Sequence, residues 1–263
     1  MVVFHYKRTV HTIIPGEKTE NHTIVAACQP REIIDNVEQT LGTIIDCAAQ
    51  AEALDAELVC FPECYLQGYV VDEEKTAERA IDLSSPEFSA VLKRLSHVNP
   101  LMVFGVIEIE NDRLYNTAVI VEHGKLLGSY RKVKLLPGES VFDAGTDFPV
   151  FDLNGLRFGI NICNDLNFPE CSKAISDQNA DLIVCPCNNM LRCETAEKWK
   201  SKHNEIRARR SAETGLWILS SDVTGRRDHR VSYGPTALIN PTGTVVAQVP
   251  LLETGLLAQE ISF

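Results

Sequence analysis

Short apolar runs of strand character alternate with longer stretches of helical periodicity along this chain, and each helical stretch carries one apolar face. That combination is restrictive. A helix with a single apolar face covers one side of a sheet, so a sheet of apolar strands covered on one side must bury its other side against something else. The pattern therefore predicts an α/β protein with two sheets stacked together and helices outside. Ile34, Val37, Leu41, Ile44 and Ala48 mark a helix over 31–54, and a second spans 86–98. Strands are expected over 23–29, 57–61, 101–108 and 114–121, the last two joined through Glu110-Asn111-Asp112. Asn154-Gly155 signals a hairpin between Phe151 and Leu156. A strand over 180–186, a long helix over about 195–214, a strand over 216–222, a hairpin turning at Pro241-Thr242-Gly243 and a final strand over 255–261 complete the pattern.

With 263 residues, 44% hydrophobic content and no Pro/Gly/Ser-rich linker, residues 1–263 read as one domain with a large core. Residues 1–21 read as an N-terminal extension without an assigned role, in which Val2-Val3-Phe4-His5-Tyr6 suits an edge strand. A net charge of −11 argues against nucleic acid or an anionic membrane as partner. The basic residues Lys198, Lys200, Lys202, Arg207, Arg209 and Arg210 read as a solvated helix face, and Gly225–Arg230 as a basic loop. Nine cysteines, an odd number, and the lack of an apolar signal-peptide core in Met1–Arg8 predict reduced thiols in the cytoplasm. Cys60, Cys64, Cys185, Cys187 and Cys193 lack paired Cys-x-x-Cys spacing, so no metal is expected.

Three segments carry reactive side chains. Leu156, Phe158, Ile160 and Ile162 alternate in strand fashion, while Pro169-Glu170 suits the first turn of a helix. Cys163 falls at the junction, where free N–H groups and a helix dipole would favour a thiolate and hold an oxyanion. Taken alone, it equally fits a buried structural thiol. Glu57–Phe61 reads as a buried strand stopped by Pro62, which delivers Glu63 at the carboxyl end, the end where open α/β sheets bind ligands. In the strand-like run Leu126–Lys134, alternation sends Tyr130 and Lys132 to one face and Arg131 and Val133 to the other. Singly, Glu63 fits a strand-end carboxylate and Lys132 a snorkelling edge lysine.

Together, Phe61-Pro62-Glu63, Tyr130-Arg131-Lys132 and the run Ile162–Glu170 resemble the nitrilase superfamily, the carbon-nitrogen hydrolases, whose catalytic set is a glutamate, a lysine and a cysteine in that chain order. The likeness extends to Thr23–Gln29, Arg210–Thr214 and Tyr233–Gly243, about nine tenths of the chain. It implies a four-layer α-β-β-α sandwich, catalytic roles for Glu63, Lys132 and Cys163, and an accessory role for Glu139, although Gly138-Glu139-Ser140 also reads as a plain turn. Lys134 stands where relatives often carry His, and Arg210 is implied to be a structural or pocket residue. The backbone of Asn164 is implied as an oxyanion donor, and Asn188 and Asn189 as pocket residues favouring a polar, uncharged substrate group.

The chemistry of such a set is coherent. A thiol attacking an amide must lose its proton, which a carboxylate can accept; a fixed ammonium and backbone N–H donors stabilise the oxyanion. The expected activity is hydrolysis of a non-peptide carbon-nitrogen bond in a small linear amide or carbamoyl compound, through a cysteine thioester and with release of ammonia. No cofactor is expected. Nitrile hydrolysis, acyl transfer to an amine, and a catalytically silent binding protein are the alternatives. The resemblance further implies a homodimer or higher homo-oligomer, with a small molecule as the other partner.

Overall fold

The computed structural model describes residues 2–3 and 21–263. Strands β1 (Val2–Val3), β2 (His22–Gln29), β3 (Leu58–Cys60), β4 (Leu101–Glu110), β5 (Arg113–Glu122) and β6 (Lys125–Arg131) lie in one sheet. Strands β7 (Val150–Leu153), β8 (Leu156–Ile160) and β9 (Leu182–Pro186) belong to a second. The short β10 (Leu191–Arg192) is followed by β11 (Trp217–Ser221), β12 (Gly225–Arg227), β13 (Arg230–Ser232), β14 (Ala237–Ile239), β15 (Val245–Gln248) and β16 (Gly255–Ser262). The first sheet has the order β1-β16-β2-β3-β4-β5-β6 and the second the order β15-β14-β11-β9-β8-β7, while β10-β13-β12 form a small third sheet.

Adjacent residues of one strand enter different cores, which is how the layers form. In β2 and β3, Ala26 and Val59 pack under the outer helices with Leu41, Ile44, Phe88 and Val91. Their neighbours Val25, Ala27, Leu58 and Cys60 instead face the second sheet, meeting Phe158, Ile160, Leu182, Val184 and Leu219. On the far side of that sheet, Ile183, Cys185 and Ile218 pack with Leu166 and Ile175. Helices flank both sheets, as the one-sided helical periodicity requires.

Helix α1 (Val37–Glu52) buries Leu41, Ile44, Ala48 and Ala51 on one stripe. It begins later than 31 because Asp35 is left-handed at φ 60° and Asn36 caps it, its side chain accepting Gln39 N–H at 3.0 Å. After α2 (Glu73–Arg79), α3 (Pro86–Arg94) has Ser85 as its cap and proline in its first turn. It stops short of 98 in a turn at Leu95. Helix α4 (Pro169–Ser176) follows the 3-10 turn Cys163–Asn167.

The long helix expected over 195–214 is two helices, α5 (Cys193–Trp199) and α6 (Lys202–Thr214). They pack on different partners, α5 against β10 and β13 and α6 against β11 and β14, so one straight rod cannot serve both. Gly225–Arg230 is a hairpin and not a loop. Nor is the basic helix face wholly solvated: Arg207 and Arg210 are buried. The hairpin turns at Asn111-Asp112 and Asn154-Gly155 all have positive φ, as type I′ turns need. The strand expected within 2–6 occurs at Val2–Val3, parallel to β16; residues 4–6 lie outside the described residues. Among the described residues, no helix is long and apolar enough to cross a membrane.

Candidate active site

Strands β3 of the first sheet and β9 of the second end side by side, and their chain extensions bond to each other. Glu63 N–H donates to Cys187 O at 3.2 Å, and Asn188 N–H donates to Glu63 Oε2 at 2.9 Å. Close approach of the Glu63 segment to β4 requires Gly105. A Cβ at that position would overlap the backbone of Glu63 and Cys64. Glu63 Oε1 also accepts from Asn116 Nδ2 at 2.8 Å and from Lys132 Nζ at 2.7 Å.

Lys132 extends past the end of β6 into the space between the sheets, where its ammonium is shared. Nζ donates at 2.7 Å to Glu63 Oε1 and at 2.7 Å to Glu139 Oε1, and all three side chains are 1% exposed. Glu139 is thus not a solvated turn acid. Tyr69 OH donates to its Oε1 at 2.6 Å and Leu136 N–H to its Oε2 at 2.6 Å. Burial alone would lower the lysine pKa, but Glu63, Cys163 and Glu139 outweigh it and hold Lys132 above the usual ammonium value. Glu63 is pushed up by burial and by Glu139, against the opposing pull of Lys132.

Cys163 has φ 42°, a left-handed backbone that costs a non-glycine residue about 1–3 kcal/mol and persists only where the surroundings impose it. Asp165 imposes it. Its Oδ2 accepts Ile162 N–H at 2.8 Å and Tyr130 OH at 2.8 Å, while Oδ1 accepts Lys134 N–H at 2.7 Å. One buried carboxylate therefore fastens the cysteine turn to the segment that carries Lys132. The expected helix-dipole activation does not occur, because a 3-10 turn separates Cys163 from α4. Contact with Cys187, burial and the charge of Glu63 push the Cys163 thiol well above its ordinary value, with Lys132 opposing them. The resting group is a thiol, and attack needs a base.

A cavity of about 260 Å³ opens onto Cys163, bounded by the cysteine turn, the 187–191 segment and helices α5 and α6. Asn164 and Asn189 line it and Asn188 does not. The side chain of Asn188 is turned away, its Oδ1 accepting Met190 N–H at 3.2 Å and its Nδ2 lying 3.5 Å from Glu32 Oε1. Asn189 Oδ1 lies 3.8 Å from Cys163 Sγ. Its Nδ2 donates to Asp222 Oδ2, and its N–H donates to Asp222 Oδ1 at 2.9 Å. Asp222 thereby decides which end of the amide meets the thiol. Arg207 is the arginine at the cavity; Arg210 is paired with Glu213 instead.

Asn116, Tyr69, Asp165, Asp222 and Gly105 were not singled out by sequence reasoning. A signal existed for two of them. Asn116 is a lone amide within an apolar strand, and Asp222 follows an apolar strand as Glu63 follows its own. Tyr69 and Asp165 act through tertiary hydrogen bonds that no local pattern announces. Among the described residues, no group of three or more His, Cys, Asp or Glu side chains is placed to hold a metal ion.

The carbon-nitrogen hydrolase family model matches residues 24–263. An (R)-stereoselective amidase from a Pseudomonas species is similar at 28% identity over 213 residues, spanning 80% of this chain and 73% of its own length. A nitrilase from Pyrococcus abyssi is 28% identical across 81% of this chain and 79% of its own. A glutamine-dependent NAD(+) synthetase from Acinetobacter baylyi is 26% identical across 90% of this chain but 43% of its own. Among solved structures, an amidase from Nesterenkonia sp. matches the fold with a TM-score of 0.78, at 24% identity over 91% of this chain and 90% of that one.

Proposed function

Because the chain belongs to the carbon-nitrogen hydrolase family, matched over residues 24–263, we propose that it hydrolyses the carbon-nitrogen bond of a small linear amide or carbamoyl compound through a cysteine thioester. The observation that carries this reading is the buried Glu63–Lys132–Glu139 cluster, whose charges act on the thiol of Cys163 at the cavity. Similarity to an amidase and a nitrilase supports the same reaction class.

In this mechanism Glu63 accepts the Cys163 proton as Sγ attacks the substrate carbonyl. Charge moves to the carbonyl oxygen, where Lys132 and the backbone N–H of Asn164 stabilise it in a site largely closed to water. Glu63 then returns the proton to the leaving nitrogen. The carbon-nitrogen bond breaks, ammonia departs, and the acyl group stays on sulfur as a thioester. Water, deprotonated by Glu63, attacks the thioester; the acid leaves and the thiol is restored. The raised pKa of Glu63 makes it a stronger base than a solvated carboxylate. Lys132, held cationic by two carboxylates, offsets the growing negative charge. Glu139 and Tyr69 keep the ammonium in place.

The test is ammonia release from primary amides and carbamoyl compounds, with intact-mass detection of an acyl adduct under rapid quench. Wild type should release ammonia and carry the adduct on Cys163. A Cys163→Ala variant that matched wild-type turnover would sink the proposal.

A further inference from the structure

Resting on that reading, the substrate class can be narrowed from the walls of the cavity at Cys163. Leu136, Leu166, Leu191, Trp199 and Ile206 supply its hydrocarbon, drawn from five separate segments of chain. Two of its buried polar side chains are already bonded to the protein. Asn164 Nδ2 donates to Lys134 O at 2.9 Å, and its Oδ1 accepts Asn167 Nδ2 at 2.8 Å. The Nδ2 of Asn189 is held by Asp222. Thr195 and Asn167, both exposed, stand at the rim and carry no charge.

Among the described residues one permanent cation lines this space, and it is engaged by the protein. Arg207 is 3% exposed; its Nη1 donates to Asn204 Oδ1 at 2.9 Å and to Pro235 O, and its Nη2 donates to Cys187 Sγ at 3.2 Å. Asp222, 3.9 Å from Nη2, already sits opposite it. His203 packs on Trp199 at a tilt of 35° with ring centroids 5.6 Å apart, and burial together with the nearby Arg207 lowers its pKa to about 3, so it is neutral at physiological pH. A carboxylate entering the cavity would lose its hydration against these apolar walls and would have to compete with Asp222, Asn204 and Pro235 for the one guanidinium that lines them.

We infer that the acyl half of the substrate is uncharged and apolar, a short alkyl chain or a single aromatic ring, and that acyl groups bearing a carboxylate or an α-amino acid head are excluded. The size agrees. A volume of about 260 Å³ lies just below the range of about 300–1,000 Å³ usual for drug-sized ligands. This reverses the expectation that two asparagine amides would favour a polar group: one faces elsewhere and the other has its donor occupied. The glutamine-dependent relatives need not share substrate with this chain, since the apolar side chains that dominate the cavity at Cys163 do not match a zwitterionic head.

Two measurements separate this inference from the reaction on which it rests. Ammonia release is followed with hexanamide and phenylacetamide against succinamic acid and glutamine, and binding of the same four compounds to the Cys163→Ala protein is followed by calorimetry. We expect kcat/KM, and affinity in the variant, to favour the two apolar amides by at least about tenfold, the discrimination that a few buried methylenes supply. Equal or better use of succinamic acid or glutamine would overturn the apolar site while leaving the hydrolase intact. Preferential binding of the apolar amides by Cys163→Ala, with no turnover of any amide by wild type, would do the reverse. Absence of binding by all four would also overturn the inference. Ile206→Arg supplies a second control: a free guanidinium in the wall should weaken phenylacetamide binding and improve that of succinamic acid.

Discussion

Lys132 Nζ donates to Glu63 Oε1 at 2.7 Å with both side chains 1% exposed, so the proposed base and the proposed oxyanion cation form one buried ion pair. Substitutions on its two sides should differ. Glu63→Gln keeps the shape and an acceptor for Lys132, and should retain the fold while losing turnover by at least about a hundredfold. Lys132→Ala leaves Glu63 and Glu139 facing each other without their shared cation. It should lose turnover to a similar extent and also destabilise the protein by about 3–5 kcal/mol, read as a lower Tm. Half of wild-type turnover in either variant would disprove the roles assigned to the pair.

Cysteine labelling needs no substrate. Of the nine cysteines, Cys193 is exposed, Cys163 partly so, and the other seven are buried. In Cys193→Ser protein, brief iodoacetamide treatment should modify Cys163 first and abolish turnover, with peptide mapping as the readout. Since its thiol is pushed up in pKa, labelling should quicken as pH rises above neutral. A Cys163 that reacts only after unfolding would be a structural thiol.

The pH profile reports on Glu63. Its pKa is raised, by burial first and by Glu139, so the base form disappears as pH falls through a value above the ordinary carboxylate pKa of about 4.3. The acid limb of kcat/KM should lie correspondingly high. Glu139→Gln removes a negative neighbour, which favours ionised Glu63, so the limb should move to lower pH in that variant. A limb that stayed put or rose would separate Glu63 from the titration.

Asp222 tests the orientation of Asn189. An amide at 222 has one acceptor oxygen where Asn189 presents two donors, its N–H and its Nδ2, so an NH2 group would face one of them and loosen the aim of the Asn189 oxygen at Cys163. Asp222→Asn should therefore lower kcat by about ten- to a hundredfold. Stability gives a second readout. Burial pushes the pKa of Asp222 up to about 6, so the folded state keeps a proton that the unfolded chain has already lost. Stability must then fall as pH rises from the usual carboxylate value to about 6, and Asp222→Asn should remove that part of the decline.

Gly105→Ala would place a methyl group into the backbone of Glu63 and Cys64. Overpacking of this kind costs about 1–3 kcal/mol. Displacement of Glu63 should cost about a hundredfold in turnover, measured as kcat. A fully active Gly105→Ala protein would show that Glu63 tolerates movement.

The layered architecture was legible because each strand and helix must bury its apolar face, and the periodicity of that face is written locally. Val25 and Ala26, or Leu58 and Val59, already alternate between two cores in the linear order of residues. Glu63, Lys132 and Cys163 stood out for a related reason, since each is a reactive side chain at the end of an apolar run. Tertiary structure alone decided the rest. The break between Trp199 and Lys202 arises from two separate packing partners. The turn at Cys163 is held by Asp165 reaching Tyr130 and Lys134, and Asn189 is aimed by Asp222, 33 residues away in the chain. Such hydrogen bonds depend on where segments meet in space. A polar side chain has the same local sequence whether it ends up lining a cavity or spending its donors on the protein, and that difference set the character of the cavity at Cys163.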